Sequence, residues 1–237
     1  SLPLMKQYRQ VHYVERKPHA MRESVGRIIE TLRSVRKQKK IFLFLIAFFF
    51  FIDGVYTIID MATAYGSALG LDSTGLLLAL LVTQFVAFPF SILFGRLAEK
   101  YDTGKLILTC IAAYTGITVF AVFMKAQWQF WVLAIFVGMF QGGIQALSRS
   151  YFAKIVPPER SGEYFGLMDI CGKGASFMGT TVVGLASQAF GSINIGVSAI
   201  VFLFIAGALF FMKTEHSGSE STKNQENVIM GQQMFHN

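Results

Sequence analysis

From Ile41 onward the chain is a succession of apolar stretches, each closed by a short run of polar or turn-forming residues. The stretches are about twenty residues long, the length an α-helix needs to cross ~30 Å of hydrocarbon. The pattern predicts six spans: about Ile41 to Gly70, Thr74 to Phe94, Leu106 to Met124, Gln129 to Ser148, Gly162 to Ala189 and Ile193 to Met212. Between Gly174 and Met212 there is no charge to mark a boundary, so the turn dividing the last two spans is placed at Gly191-Ser192. Ahead of the spans, residues 1–17 are polar and unpatterned. After Pro18, the residues Met21, Val25, Ile28, Ile29, Leu32 and Val35 recur at three- and four-residue steps. They form one apolar stripe on a basic amphipathic helix, which suits a membrane interface or, alternatively, a solvated linker. Three regions follow: a basic linker at 1–40, a transmembrane domain at 41–212, and a Ser-, Gln- and Asn-rich tail at 213–237 that reads as disordered.

Composition fixes the solvent of this fold. Hydrophobic residues make up 53% of the chain and charged ones 15%, against about 25% charged in a soluble domain. Lipid therefore surrounds most of the molecule. The placement of charge then orients it. Residues 1–40, the 95–105 loop, the 149–160 loop and the tail together hold 19 of the 21 Lys and Arg. The opposite turns hold one, Lys125, and the last, Lys173, lies inside a span. Basic loops stay on the cytoplasmic side, which predicts a multi-pass protein of a bacterial inner membrane with both termini in the cytoplasm. Residues 1–40 carry eleven Lys or Arg against three Glu. Next to apolar spans this reads as an anchor beside anionic lipid; no compact basic domain follows, so nucleic acid is not an expected partner.

Four charges lie inside spans: Asp53, Asp60, Asp169 and Lys173. Each costs at least ~2.5–3.5 kcal/mol at the bilayer centre, so all four must face protein or a wet cavity. At ~1.5 Å per residue, Asp53 lies about 18 Å in from Ile41 and Lys173 about 16 Å in from Gly162. Polar stripes run with them: Tyr56, Asp60, Thr63 and Ser67 beside Asp53 and Thr57; Asp169, Lys173, Ser176 and Thr180; and Gln141, Gln145 and Ser148. The sequence thus predicts a central aqueous site reached by Asp53, Thr57, Asp60, Gln141, Gln145, Asp169 and Lys173. In it Asp53 and Lys173 form a midplane pair for which a solute or protons compete. The other reading is a fixed ion pair that only holds helices together. No cofactor and no metal site is expected: all four His lie outside the spans, the two cysteines read as small buried hydrophobes, and there is no phosphate loop or nucleophile elbow.

Two sets of residues carry a likeness. The segment Gly95-Arg96-Leu97-Ala98-Glu99-Lys100-Tyr101-Asp102-Thr103-Gly104-Lys105 resembles the loop signature of the major facilitator superfamily, with Glu99 where Asp is usual and Asp102 where Gly is usual. The likeness implies a gating latch. Glu99 would meet the helix start near Ser161, where the dipole favours a carboxylate; Gly95 and Lys100 would belong to the same loop, and Arg149 would be the ionic partner. The segments Phe50-Phe51-Ile52-Asp53-Gly54-Val55 with Thr57-Ile58-Ile59, Gln141-Gly142-Gly143-Ile144-Gln145-Ala146-Leu147-Ser148-Arg149-Ser150, Glu163-Tyr164-Phe165-Gly166 and Gly172-Lys173 resemble the second half of the vacuole-effluxer-like branch, which is linked to autophagy. This resemblance covers about residues 26–212. It implies a twelve-helix transporter of which this chain supplies the last six helices, with amino acids as the best-known proposed cargo.

The reading that results is an all-α membrane protein, half of a major-facilitator bundle, built as two inverted three-helix units. It would move a small solute by alternating access, with protons as the candidate coupling ion. Its partners would be the bilayer, the solute, and an N-terminal half or second copy of the chain. A channel or pore subunit and a membrane-embedded enzyme remain the rival classes. The enzyme would need paired carboxylates, for which Asp53 and Asp169 are the candidates.

Overall fold

Turn chemistry sets most of the helix ends. The computed structural model describes the backbone of residues 30–234 and the side chains of residues 30–217. After a helical segment at 30–37, α1 runs Lys39–Ala68. It ends at Gly70, whose φ of +75° lets the amide of Leu71 reach back to the Gly66 carbonyl, a left-handed glycine stop. Helix α2 (Ser73–Lys100) is capped by the Asp72 carboxylate, which accepts from the Gly75 amide at 2.7 Å. Helix α3 (Thr103–Val122) is capped in the same way by Asp102, which accepts from Lys105 at 3.0 Å. Helix α4 (Gln127–Ile155) ends before Pro157-Pro158, and α5 (Ser161–Phe190) ends on Gly191 at φ +65°, at the turn the sequence predicts. Helix α6 spans Ile193–Met234.

Five of these helices, all but α5, are long and apolar enough to cross a membrane. Helix α5 has the length, at 30 residues, but it carries Glu163, Asp169 and Lys173 among several Gly, Ser and Thr. Large apolar side chains stand exposed on the outside of the bundle, Phe85 at 79% and Phe88 at 71% among them. An apolar exterior on this scale belongs in lipid, and the chain is a multi-pass integral membrane protein.

Contacts give the helix directions. Phe44 meets Phe211, Phe51 meets Gly207, and Gly54 meets Phe204, so α1 and α6 are antiparallel. Asp60 meets Ser176 twelve residues beyond the contact of Phe48 with Gly172, so α1 and α5 are parallel. Helices α2 and α4 are also parallel. Gly138 lies against the Thr83 backbone and Gly142 against that of Ala87, where an added Cβ would come within 2.7 Å of each carbonyl oxygen. Small residues four apart permit this backbone-to-backbone approach. Helix α3 runs antiparallel to both α4 and α6, through Lys154 on Thr103 and Glu215 beside Gly104. One end of the bundle therefore gathers the start of α1, the α2–α3 and α4–α5 turns and residues 213–217 of α6. The other end gathers the turns at Gly70, Lys125 and Gly191.

The core is aromatic. Phe204 of α6 is fully buried, stacks on Tyr114 of α3 at 5.5 Å and fills the space left by Gly54 of α1. Phe204→Ala should cost about 3 kcal/mol, near the low end for a core phenylalanine, because lipid is itself apolar. Thermal unfolding in detergent checks this; Phe202→Ala, at a lipid-facing side chain 73% exposed, should leave the midpoint where it is.

Two expectations change. The predicted loop at 95–105 is mostly helix: α2 continues to Lys100, leaving Tyr101 and Asp102 as the turn. The tail at 213–237 is not disordered over most of its length, since α6 continues to Met234. No proline follows Pro158, and Glu, Gln and Lys are good helix formers, so nothing in the tail obliges the helix to stop. The amphipathic stripe at 18–29 lies outside the described residues. Its end, at 30–37, is docked on α5: Thr31 donates to Glu163 at 3.1 Å, Gln38 donates to the Tyr164 hydroxyl at 3.0 Å, and Ser34 shares a hydrogen bond with that hydroxyl.

Candidate functional site

Where α1, α4 and α5 converge, a cavity of about 110 Å³ opens, with lining divided evenly between polar and apolar surface. Helix α1 contributes Tyr56, α4 contributes Gln145 and Arg149, and α5 contributes Asp169 and Lys173, over an apolar floor of Phe48, Ile52 and Met168. Arg149 donates to Asp169 Oδ1 at 2.7 Å, the two side chains 57% and 50% exposed. Lys173, also exposed, makes no hydrogen bond or ion pair among the described residues. Two cations and one carboxylate leave one positive charge in excess on this wall.

Arg149 is in the cavity because α4 continues six residues past it, to Ile155. Gln141, Gln145 and Arg149 then stand at four-residue steps on one face. The latch in which Arg149 pairs with Glu99 is not formed. Glu99 is exposed on the last turn of α2, with Gly95 and Lys100, and makes no hydrogen bond or ion pair among the described residues; the start of α5 is instead held by residues 31–38. Four-residue spacing in the sequence was the signal that could have assigned Arg149 to the cavity. Gln141 lies deeper along the same face, its Oε1 buried and without a hydrogen bond among the described residues.

A second polar cluster lies in the α1–α5 seam. Asp53 is fully buried. Its Oδ1 accepts from the Gly179 amide at 2.8 Å and, at 3.5 Å, from Thr57 Oγ1, while Oδ2 makes no hydrogen bond among the described residues. Gly179 makes this possible, since a Cβ there would lie 2.5 Å from Oδ1 and collide with the Thr57 hydroxyl. Asp60 accepts from Ser176 Oγ at 2.9 Å nearby.

The midplane pair of Asp53 with Lys173 is therefore absent. Residue 38 of the chain is level with Tyr164 and Asp53 with Gly179, so α5 begins about one turn before α1 does. A depth counted from Gly162 is therefore too great, and Lys173 sits six residues short of Asp53, about 9 Å along the axis. By the same measure Asp169 is about 15 Å from the level of Asp53, which removes the carboxylate dyad that an embedded hydrolase would need. Among the described residues no group of His, Cys, Asp and Glu is placed to hold a metal ion.

Comparison with known proteins agrees with this architecture. The chain is 41% identical over 229 residues to the uncharacterised MFS-type transporter YxiO of Bacillus subtilis, covering 97% of this chain and 54% of that protein. It is 23% identical over 220 residues to autophagy-related protein 22-2 of Aspergillus niger, covering 85% of this chain and 37% of the relative. With autophagy-related protein 22 of Saccharomyces cerevisiae it shares 29% identity over 178 residues, 68% of this chain and 33% of the relative. The chain thus spans about half the length of the bacterial relative and about a third of the fungal ones. The relatives' names describe transport and autophagy, and none describes an enzyme. The family model described as "Vacuole effluxer Atg22 like" matches residues 2–223, nearly the whole chain, and the protein belongs to that family.

Proposed function

We propose that this chain is the six-span C-terminal half of a transporter that carries a small solute, an amino acid, across the bacterial plasma membrane by alternating access, with both of its ends in the cytoplasm. The observation that carries the reading is Lys173, an ammonium without a partner among the described residues, in a polar cavity beside the Arg149–Asp169 pair. The carboxylate of an amino acid suits Lys173, and its ammonium suits Asp169 Oδ2, which Arg149 leaves free. Burying both charges of a zwitterion against fixed partners avoids the cost of leaving them unpaired.

The packing also supports two inverted three-helix units. Exchanging α1 with α4, α2 with α5 and α3 with α6 turns the α2–α4 contact into α5–α1, and the α1–α6 contact into α4–α3; all four contacts are present. Helices α1 and α4, equivalent under that exchange, both line the cavity. A single half has nothing to rock against, so the N-terminal half or a second copy of the chain completes the transporter.

Asp53 is the coupling group in this scheme. A proton on Oδ2 removes a charge that has no cation beside it. Asp53→Asn in the completed transporter, reconstituted in liposomes, should lower proton-driven uptake about tenfold or more, the size of an ordinary coupling between sites. Solute exchange without a gradient should persist. Undiminished driven uptake by a normally folded variant would remove Asp53 from the mechanism.

A further inference from the structure

On the side of α1 and α5 turned away from the polar cavity, a groove of about 560 Å³ runs inward from the helical segment at 30–37. Leu32 and Arg36 form its mouth, Ile46 and Phe49 of α1 one wall, and Leu167 and Cys171 of α5 the other. Apart from Arg36 its walls are almost wholly apolar. On α5 the groove residues Leu167 and Cys171 fall on a different face from the cavity residues Asp169 and Lys173, and on α1 the groove takes Ile46 and Phe49 nearer the start of the helix while the cavity takes Ile52 and Tyr56 further along it. Along α1 the groove extends from Phe42 to Phe50, about 12 Å at the helical rise, against ~15 Å for one leaflet of a ~30 Å hydrocarbon core.

Charge is concentrated at the mouth. Residues 30–40 hold Arg33, Arg36, Lys37, Lys39 and Lys40 against one acid, Glu30. Arg33, Arg36 and Lys37 are exposed and make no ion pair among the described residues. An occupant that fits must be long, apolar and thin, with a negative group at one end. We infer that the groove binds an anionic phospholipid, its phosphate on Arg36 and an acyl chain against Ile46, Phe49 and Cys171. This site is independent of the solute cavity and stands or falls without it. It differs from the general lipid surface in selecting the headgroup, because each basic side chain near an anionic headgroup adds to the attraction. Hydrophobic burial alone would hold a zwitterionic lipid equally well.

Cys171 supplies the readout, since the chain's other cysteine, Cys110, is fully buried. The full chain is placed in bicelles of phosphatidylglycerol or of phosphatidylcholine at equal lipid content, and its reaction with a membrane-permeant maleimide is followed. Phosphatidylglycerol should slow the labelling of Cys171 about fivefold more than phosphatidylcholine does, the weight of one basic side chain at an anionic surface. Arg36→Gln should abolish that difference, and Ile46→Trp, which fills the groove without touching charge, should do the same. Equal labelling in the two lipids would overturn the proposal, as would a difference that survives Arg36→Gln. Protection of Cys171 in lipid-free detergent would also overturn it, because protein would then cover the groove.

Discussion

Gly179→Ala should destabilise the protein by about 3 kcal/mol or more, although it adds one methyl group. That methyl would lie 2.5 Å from Asp53 Oδ1 and closer still to the Thr57 hydroxyl, and both neighbours are fully buried. Forcing an extra carbon into a packed seam costs about 1–3 kcal/mol. Parting α1 from α5 also strips the buried Asp53 of its hydrogen bond from the Gly179 amide, and a hydrogen bond to a charged group is worth about 1.5–3 kcal/mol. Gly174→Ala on the same helix, with nothing within 4 Å of the added carbon, serves as the control and should be neutral or slightly stabilising through helix propensity. Adding Thr57→Ala to Gly179→Ala should recover part of the loss, because contacting substitutions are not additive. Thermal midpoints in one detergent decide the matter. If the two glycine variants melt together, the close approach of Asp53 to the α5 backbone is not what holds the seam.

Asp169→Asn should do the reverse, leaving stability nearly intact and removing transport. The Arg149–Asp169 pair is about half exposed on each side, and ion pairs so placed contribute about 0–1 kcal/mol. Uptake by the completed transporter should nonetheless fall toward a hundredfold, the upper range of coupling between sites, because the wall then presents two cations with no carboxylate. Exchanging the partners, Arg149→Asp with Asp169→Arg, separates a pair that holds helices from one that reads the solute. The swap restores the attraction and reverses its polarity. Uptake should stay lost; restored uptake would mark the pair as structural.

How much of this was legible in the sequence depends on which quantity is asked for. The turns at Gly70 and Gly191 were readable, because a left-handed glycine acts within a few residues of itself, whereas the ends of α2, α4 and α6 were placed short of Lys100, Ile155 and Met234. Azimuth was readable as well: Asp169 and Lys173 share a face with each other, and Gln145 with Gln141. The axial offset between two helices was not. It is set by the approach that Gly179 allows and by the docking of residues 31–38 on α5, both long-range events. An error of about six residues in that offset, ~9 Å, exchanged one partner of Asp53 for another and proposed an ion pair where a backbone amide stands. Arg149 was misassigned for a related reason. Taken as the end of a span, it read as a loop residue; with a further turn and a half of helix beyond it, it belongs to the cavity wall. The polar tail was misread because its composition limits packing without forbidding a helix.

The clamp between residues 31–38 and the base of α5 has a mechanical corollary. The chain that leads into α1 is bonded to Glu163 and Tyr164 just before it enters the bundle. A displacement of that segment would thus be delivered to two parallel helices together, and the cavity wall they share would follow as one piece.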